Sequence, residues 1–173
     1  MKRFLLMVFL LFFIFLLQST LFKSLLAFSG ILPNVILVFI VSFALMRGDM
    51  TGLLLGFFSG ILLDFIFGEM IGLYALIYMF LGFVFGKFYE SYSPEKLLPS
   101  ISLIALSDLA CGMICYVFLF LLRSRFHFKF YLLHIILPEV VYTTVIAAIL
   151  YPLFYWLNEL LAEDEMRRTR KFV

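Results

Sequence analysis

Residues 51–68 read TGLLLGFFSGILLDFIFG, with glycine or aspartate at every fourth position. Four residues turn an α-helix through about 400°, so these positions form a seam that winds slowly round one helix. Glycines in such a seam let two helix backbones approach closely inside a membrane. Because Gly82 and Gly86 repeat the spacing, we expect the next helix to pack on this one. Homodimerisation through the same motif is the alternative.

The composition of the whole chain is typical of a membrane protein. Of its 173 residues, 65% are hydrophobic and 14% are charged. Soluble domains are roughly 45–50% apolar and about 25% charged, so a soluble enzyme or a cytosolic binding domain is excluded. The net charge is only +2, from 13 basic and 11 acidic residues, which does not indicate binding to nucleic acid.

Charges, glycines and prolines divide the chain into apolar segments, so we predict an all-α membrane protein of about six helices. The predicted spans are Phe4–Leu21, Ile31–Met46, Thr51–Phe67, Met70–Gly86, Ser100–Leu122 and Leu132–Leu157. The second span is short unless Pro33 starts the helix, where its missing N–H costs nothing. Residues 1–157 then form one transmembrane domain. We expect the charged tail, residues 158–173, to be cytoplasmic and to extend the last helix.

The distribution of basic residues predicts the orientation of these helices. If the N-terminus is inside, nine lysines and arginines lie on the cytoplasmic side and four lie outside. The positive-inside rule therefore places both termini in the cytoplasm. Basic and aromatic residues alternate in the stretch 123–131, which we expect to lie in the outer interface of the membrane.

Three acidic residues, Asp64, Asp108 and Glu139, fall inside predicted helices. Each costs about 2.5 to 3.5 kcal/mol at the middle of a bilayer, and no lysine or arginine accompanies them in the spans. We interpret them as groups that hydrogen-bond between helices, with proton or cation sites as the alternative. Asp64 should bond a group on a neighbouring helix, so that Asp64→Asn would be mild. No motif predicts an enzyme, a catalytic residue, a metal site or a cofactor.

The segment from Leu32 to Lys87 resembles the bacterial rod shape-determining protein MreD. As in that family, the second predicted helix of this chain begins with a proline followed by an asparagine. The third predicted helix is rich in glycine and ends in an acidic residue, and a glycine turn then leads to an Ala-Leu helix. We take eight of the matching residues as candidates for helix packing or a partner interface: Pro33, Asn34, Gly52, Gly56, Gly60, Asp64, Gly68 and Gly72. The match continues with Ala75 and Leu76.

This resemblance implies a non-enzymatic component, in the bacterial cytoplasmic membrane, of the machinery that elongates the lateral cell wall. MreD-like proteins work with MreC, and indirectly with MreB, RodA and a penicillin-binding transpeptidase. Their fold is similar to that of the substrate-binding subunits of energy-coupling-factor transporters, so a vitamin-type binding subunit is the alternative function. Those subunits often couple through an Ala-x3-Ala face on the first helix, whereas the stretch 4–17 contains neither alanine nor glycine.

Overall fold

The computed structural model describes residues 2–19, 31–67, 72–90, 95–118 and 128–169, which form α-helices joined by short turns. The helices are α1 (Lys2–Leu17), α2 (Val35–Arg47), α3 (Asp49–Phe67), α4 (Leu73–Gly86), α5 (Leu97–Tyr116) and α6 (Leu137–Thr169). A helical turn, Phe128–Tyr131, and a π-helical segment, Leu132–Ile136, lead directly into α6. The predicted all-α class is confirmed. Most of the stretch 123–131 lies outside the described residues.

In the part of the chain that the structure describes, three helical segments are long and apolar enough to cross a membrane: Asp49–Ile66, Leu97–Tyr116 and Lys129–Ala162. The other apolar helices, Met7–Leu17, Val35–Arg47 and Leu73–Tyr89, are shorter. These helices support a membrane protein. The count of six spans and the position of the two termini remain predictions.

Two observed helix boundaries near prolines differ from the predicted ones. The second helix does not start at Pro33, because Asn34 is its N-cap and Val35 its first residue. The fifth helix starts at Leu97, earlier than predicted, with Pro99 in its first turn. Amides in a first turn have no acceptor within the helix, so a proline costs little there.

The last helix passes the predicted end at Leu157 and continues into the charged tail as far as Thr169. This agrees with a helical extension of the last span. The division into a transmembrane domain and a tail at residue 157 stays a prediction.

Helix α2 lies at the centre of the bundle. All twelve of its residues from Val35 to Met46 are buried, and it contacts α1, α3, α4, α5 and α6. A helix that is apolar all round is typical of such a position. Its 13 residues span about 20 Å, less than the roughly 30 Å of a bilayer core. The polar groups at its ends must therefore find partners within the protein.

The end of α2 is held against α6 and then turns sharply into α3. The Nε of Arg47 donates to the side-chain oxygen of Asn158 on α6, and Phe39 and Phe43 pack on the ring of Phe154. Gly48 has a φ of +92°, a conformation that favours glycine, and α3 begins at the next residue.

Candidate functional site

Helices α3 and α4 touch backbone to backbone along the glycine seam, Gly52, Gly56 and Gly60. A Cβ added at Gly52 would collide with the carbonyl oxygen of Gly82, and one added at Gly56 would collide with that of Tyr78. Backbone atoms cannot move aside as the end of a flexible side chain can. Space, rather than conformation, therefore requires glycine at these positions.

The same contact continues towards both ends of the two helices. A Cβ at Gly60 would collide with the Cα of Ala75, and one at Gly86 would collide with the Cα of Asp49. Residue numbers rise along α3 as they fall along α4, so the two helices are antiparallel in a single register. The seam is thus used inside the chain, in the arrangement that the glycine spacing predicts.

Asp64 lies where the seam ends and α4 begins, and only 4% of its surface is exposed. Its Oδ2 accepts the backbone N–H groups of Gly72 and Ala75, and its Oδ1 accepts that of Tyr74, each at 3.0 Å. The first amides of a helix have no carbonyl partner in that helix, and a carboxylate also interacts favourably with the helix dipole. Asp64 therefore caps α4 from α3.

Gly72 completes this joint by its conformation. It is the N-cap residue of α4 in the left-handed region, with a φ of +96°, and it has no side chain that could cap the helix itself. A Cβ at Gly72 would meet nothing within 4 Å, so backbone strain and not crowding disfavours other residues here. Gly68 lies outside the described residues.

Side chains from other parts of the chain satisfy the N-terminus of α2. The backbone N–H of Asn34 donates to Oγ1 of Thr143 on α6 at 3.1 Å. The N–H of Ile36 donates to Oε1 of Gln18, which follows α1, at 3.0 Å. The N–H of Leu37 donates to the side-chain oxygen of Asn34 at 3.3 Å. The buried start of the central helix is thus tied to both α1 and α6.

Asn34 is also part of a polar cluster, which we define as Asn34, Tyr78, Asp108 and Thr143. The hydroxyl of Tyr78 donates to Oδ1 of Asn34 at 2.8 Å. Asp108 lies near enough to the side chains of Thr143 and Asn34 for its carboxyl group to interact with them. Only 3% of Asp108 is exposed, and its Oδ2 has no hydrogen-bond partner among the described residues.

Two contacts fix the register of α5 against α6. The hydroxyl groups of Ser100 and Tyr151 are 2.9 Å apart. Asp108, eight residues later on α5, lies near Thr143, eight residues earlier on α6. Glu139 precedes Thr143 by about one helical turn, on the same face of α6. It consequently lies near enough to Asp108 for the two carboxyl groups to interact electrostatically.

A mostly apolar cavity of about 230 Å³ opens at the end of the bundle where α2 begins. Its lining includes Phe15, Gln18, Ile36, Leu63 and Tyr78. Tyr78 joins this cavity to the polar cluster, since its hydroxyl group bonds Asn34.

The structure separates the three acidic residues that the sequence grouped together. Asp64 belongs to the α3–α4 joint, whereas Asp108 on α5 and Glu139 on α6 lie near enough to each other to interact electrostatically. Pro33 lies just before α2 and is buried. The sequence reasoning missed Gln18, Tyr78 and Thr143. Their one recognisable feature is a polar group within a strongly apolar segment.

No group of three or more histidines, cysteines, aspartates and glutamates that could hold a metal ion occurs among the described residues. Any cation bound in this part of the chain would need hydroxyl, amide or backbone oxygens as well.

A family model described as rod shape-determining protein MreD matches residues 1–161 of the chain. In comparisons with curated proteins and with solved structures, nothing matches.

Proposed function

The chain belongs to the MreD family of rod shape-determining proteins, and on this basis we propose that it is a non-enzymatic component of the complex that elongates the lateral wall of bacterial cells. The observation that carries the proposal is the family match, which extends over nearly the whole chain. Family membership supports a role in rod-shape determination. The resemblance of residues 32–87, noted from the sequence, supports the more specific role in wall elongation.

In this proposal the protein is a multi-pass protein of the cytoplasmic membrane, with six crossings and both termini in the cytoplasm. The three long apolar helices support the membrane location. The excess of basic residues on one side of the predicted spans supports the orientation.

We propose that the protein acts through its surface as a scaffold, with MreC as the direct partner and with MreB, RodA and a penicillin-binding transpeptidase as indirect partners. Because α2 is enclosed by the other helices, partners would reach only the outward faces of those helices and the surrounding lipid. The backbone contact between α3 and α4 supports a structural role, since it holds the outward faces of these helices in fixed positions.

The alternative function, a small-molecule-binding subunit of a transporter, would use the apolar cavity as its ligand site. The cavity volume of about 230 Å³ is below the roughly 300–1,000 Å³ of most ligand pockets. We therefore prefer the scaffold, and we keep a vitamin-type ligand as the alternative that the following experiment tests.

Depletion of the protein in its native host separates these functions. The scaffold predicts rounded cells, normal vitamin uptake and loss of MreC from the complex recovered with RodA. A plasmid copy carrying Ser107→Ala, a buried change in α5 away from the outward faces, should restore rod shape and serves as the control. Normal rods with a loss of vitamin uptake would replace the scaffold with the transporter subunit.

A further inference from the structure

We propose that Asp108, Thr143 and Glu139 form a binding site for one sodium ion between α5 and α6. The proposal concerns the isolated protein and does not depend on its partners in the cell. It starts from the unpartnered oxygen of Asp108, which lies inside the bundle beside a second carboxyl group.

One oxygen atom of the buried Asp108 side chain lacks a partner among the described residues, and a bound ligand would supply one. Only 3% of the Asp108 surface is exposed, and its Oδ2 has no hydrogen-bond partner in the described part of the chain. Buried polar atoms in folded proteins are nearly always satisfied, and an exception indicates an ion, a water or a functional group. A cation bound at Oδ2 would give this oxygen atom a partner.

Two neighbouring donors offset part of the cost of burying a charged Asp108. The hydroxyl of Thr143 and the side-chain amide of Asn34 can both donate to a carboxylate, and Asn34 caps the positive end of α2. Within the described residues, neither Asp108 nor Glu139 forms an ion pair with lysine, arginine or histidine. When it is ionised, a buried carboxylate without a basic partner needs a mobile cation for neutrality.

The available donor atoms are hard oxygens, which suit an alkali cation. Oγ1 of Thr143 accepts the N–H of Asn34, which fixes its position and leaves a second lone pair free. A calcium ion prefers six to eight oxygen ligands, and a magnesium ion keeps much of its water. This small, enclosed donor set is therefore better suited to Na⁺ than to either divalent ion.

Glu139, one turn before Thr143, supplies a route to the site. It is only partly buried, so it can exchange ions between the site and the outside of the bundle. The other titratable groups near Asp108 are Tyr78 on α4 and Cys111 on α5.

Binding of ²²Na⁺ to the purified full-length protein in lipid nanodiscs tests the site. We expect the wild-type protein to bind one ion per chain, and unlabelled Na⁺ to displace it far better than K⁺, Ca²⁺ or choline. Asp108→Asn should abolish binding. Thr143→Val and Glu139→Gln should each weaken it by about tenfold or more, as loss of a ligand or supporting group does at metal sites.

Ser107→Ala is the matched control, because Ser107 is buried beside Asp108 but its hydroxyl donates to the carbonyl of Ile104. This variant should bind ²²Na⁺ as the wild-type protein does. If Asp108→Asn does not fold, Thr143→Val keeps the charge and decides the question. No ²²Na⁺ binding by the folded wild-type protein, or equal binding after Thr143→Val, would overturn the proposal.

Discussion

Asp64 and Asp108 are equally buried, at 4% and 3% exposure, yet their carboxyl groups have opposite surroundings. Both oxygens of Asp64 accept backbone N–H groups from the first turn of α4. One oxygen of Asp108 has no partner in the described part of the chain. Burial alone therefore does not distinguish a structural aspartate from a binding one. The hydrogen-bond partners of each carboxyl oxygen do distinguish them.

The helix pairs around these two residues differ in the same way. Helices α3 and α4 are in backbone contact along the glycine seam, and both oxygens of the carboxylate at their joint accept hydrogen bonds. Helices α5 and α6 meet through side chains, with a polar cluster and a second carboxyl group between them. We therefore expect changes in the first pair to unfold the protein, and changes in the second pair to alter what it binds.

Gly60→Leu should have the largest effect. Its Cβ would collide with the backbone of Ala75, and overpacking costs about 1–3 kcal/mol even where side chains can adjust. We expect a loss of more than about 3 kcal/mol, because a backbone cannot adjust in that way. The measurements are the yield of monodisperse protein and the midpoint of thermal unfolding.

Gly112→Ala is the matched control in α5. A Cβ at Gly112 would meet side-chain carbons of Ile136 at 3.1 Å, and these can move by a few tenths of an ångström. This variant should lose little stability. If Gly60→Leu is as stable as Gly112→Ala, the close α3–α4 contact is wrong.

Substitutions at Asp64 should have the next largest effect. Asp64→Leu leaves three N–H groups without a partner, at about 1–3 kcal/mol for each buried group. Asp64→Asn turns one oxygen into a donor that faces at least one N–H, so we expect a loss of about 1–2 kcal/mol. This replaces the mild effect expected from the sequence.

Thermal unfolding in nanodiscs measures both variants, with Asp49→Asn as the control. Asp49 accepts only the exposed N–H of Met50, so its loss should change the midpoint little. Equal stability of Asp64→Asn and the wild-type protein would show that the cap is unimportant.

Tyr78→Phe should have a smaller effect on stability. It removes one hydrogen bond to Asn34, and such bonds inside membrane proteins average about 0.6 kcal/mol. The side-chain oxygen of Asn34 still accepts the N–H of Leu37 in this variant. Tyr89→Phe, at an exposed tyrosine, is the control. If Tyr78→Phe loses more than about 2 kcal/mol, the polar cluster contributes more to stability than one hydrogen bond explains.

Asp108→Asn should have the smallest effect on stability when no sodium is present. An isolated buried charge is costly, so its removal should not destabilise the protein. We expect an unfolding midpoint in choline chloride equal to or above that of the wild-type protein. A large loss in choline would show that the Asp108 carboxylate is as structural as that of Asp64.

Local patterns in the sequence predict the α3–α4 pair well. The spacing of Gly52, Gly56 and Gly60 requires a close neighbour, and the next helix along the chain supplies it. The sequence also indicates that Asp64 faces protein. It does not show that the partner is the backbone of α4, because that depends on the conformation of Gly72.

Contacts between distant parts of the chain could not be predicted in this way. Asn34 and Thr143 are 109 residues apart, and only the fold brings them together. The central position of α2 is similarly hidden, because a helix that is apolar on every side has no face that indicates its neighbours. Its short length was the one indication that it differs from a lipid-exposed span.

The shift of the unfolding midpoint between sodium chloride and choline chloride, at equal ionic strength, tests the contrast between the two aspartates most directly. A ligand that binds only the folded state raises the midpoint. We predict that Na⁺ raises the midpoint of the wild-type protein and of Asp64→Asn, which starts from a lower value, and that it has no effect on Asp108→Asn. Equal shifts in all three proteins, or no shift in the wild-type protein, would contradict the assignment of Asp108 as a sodium ligand and of Asp64 as a structural cap.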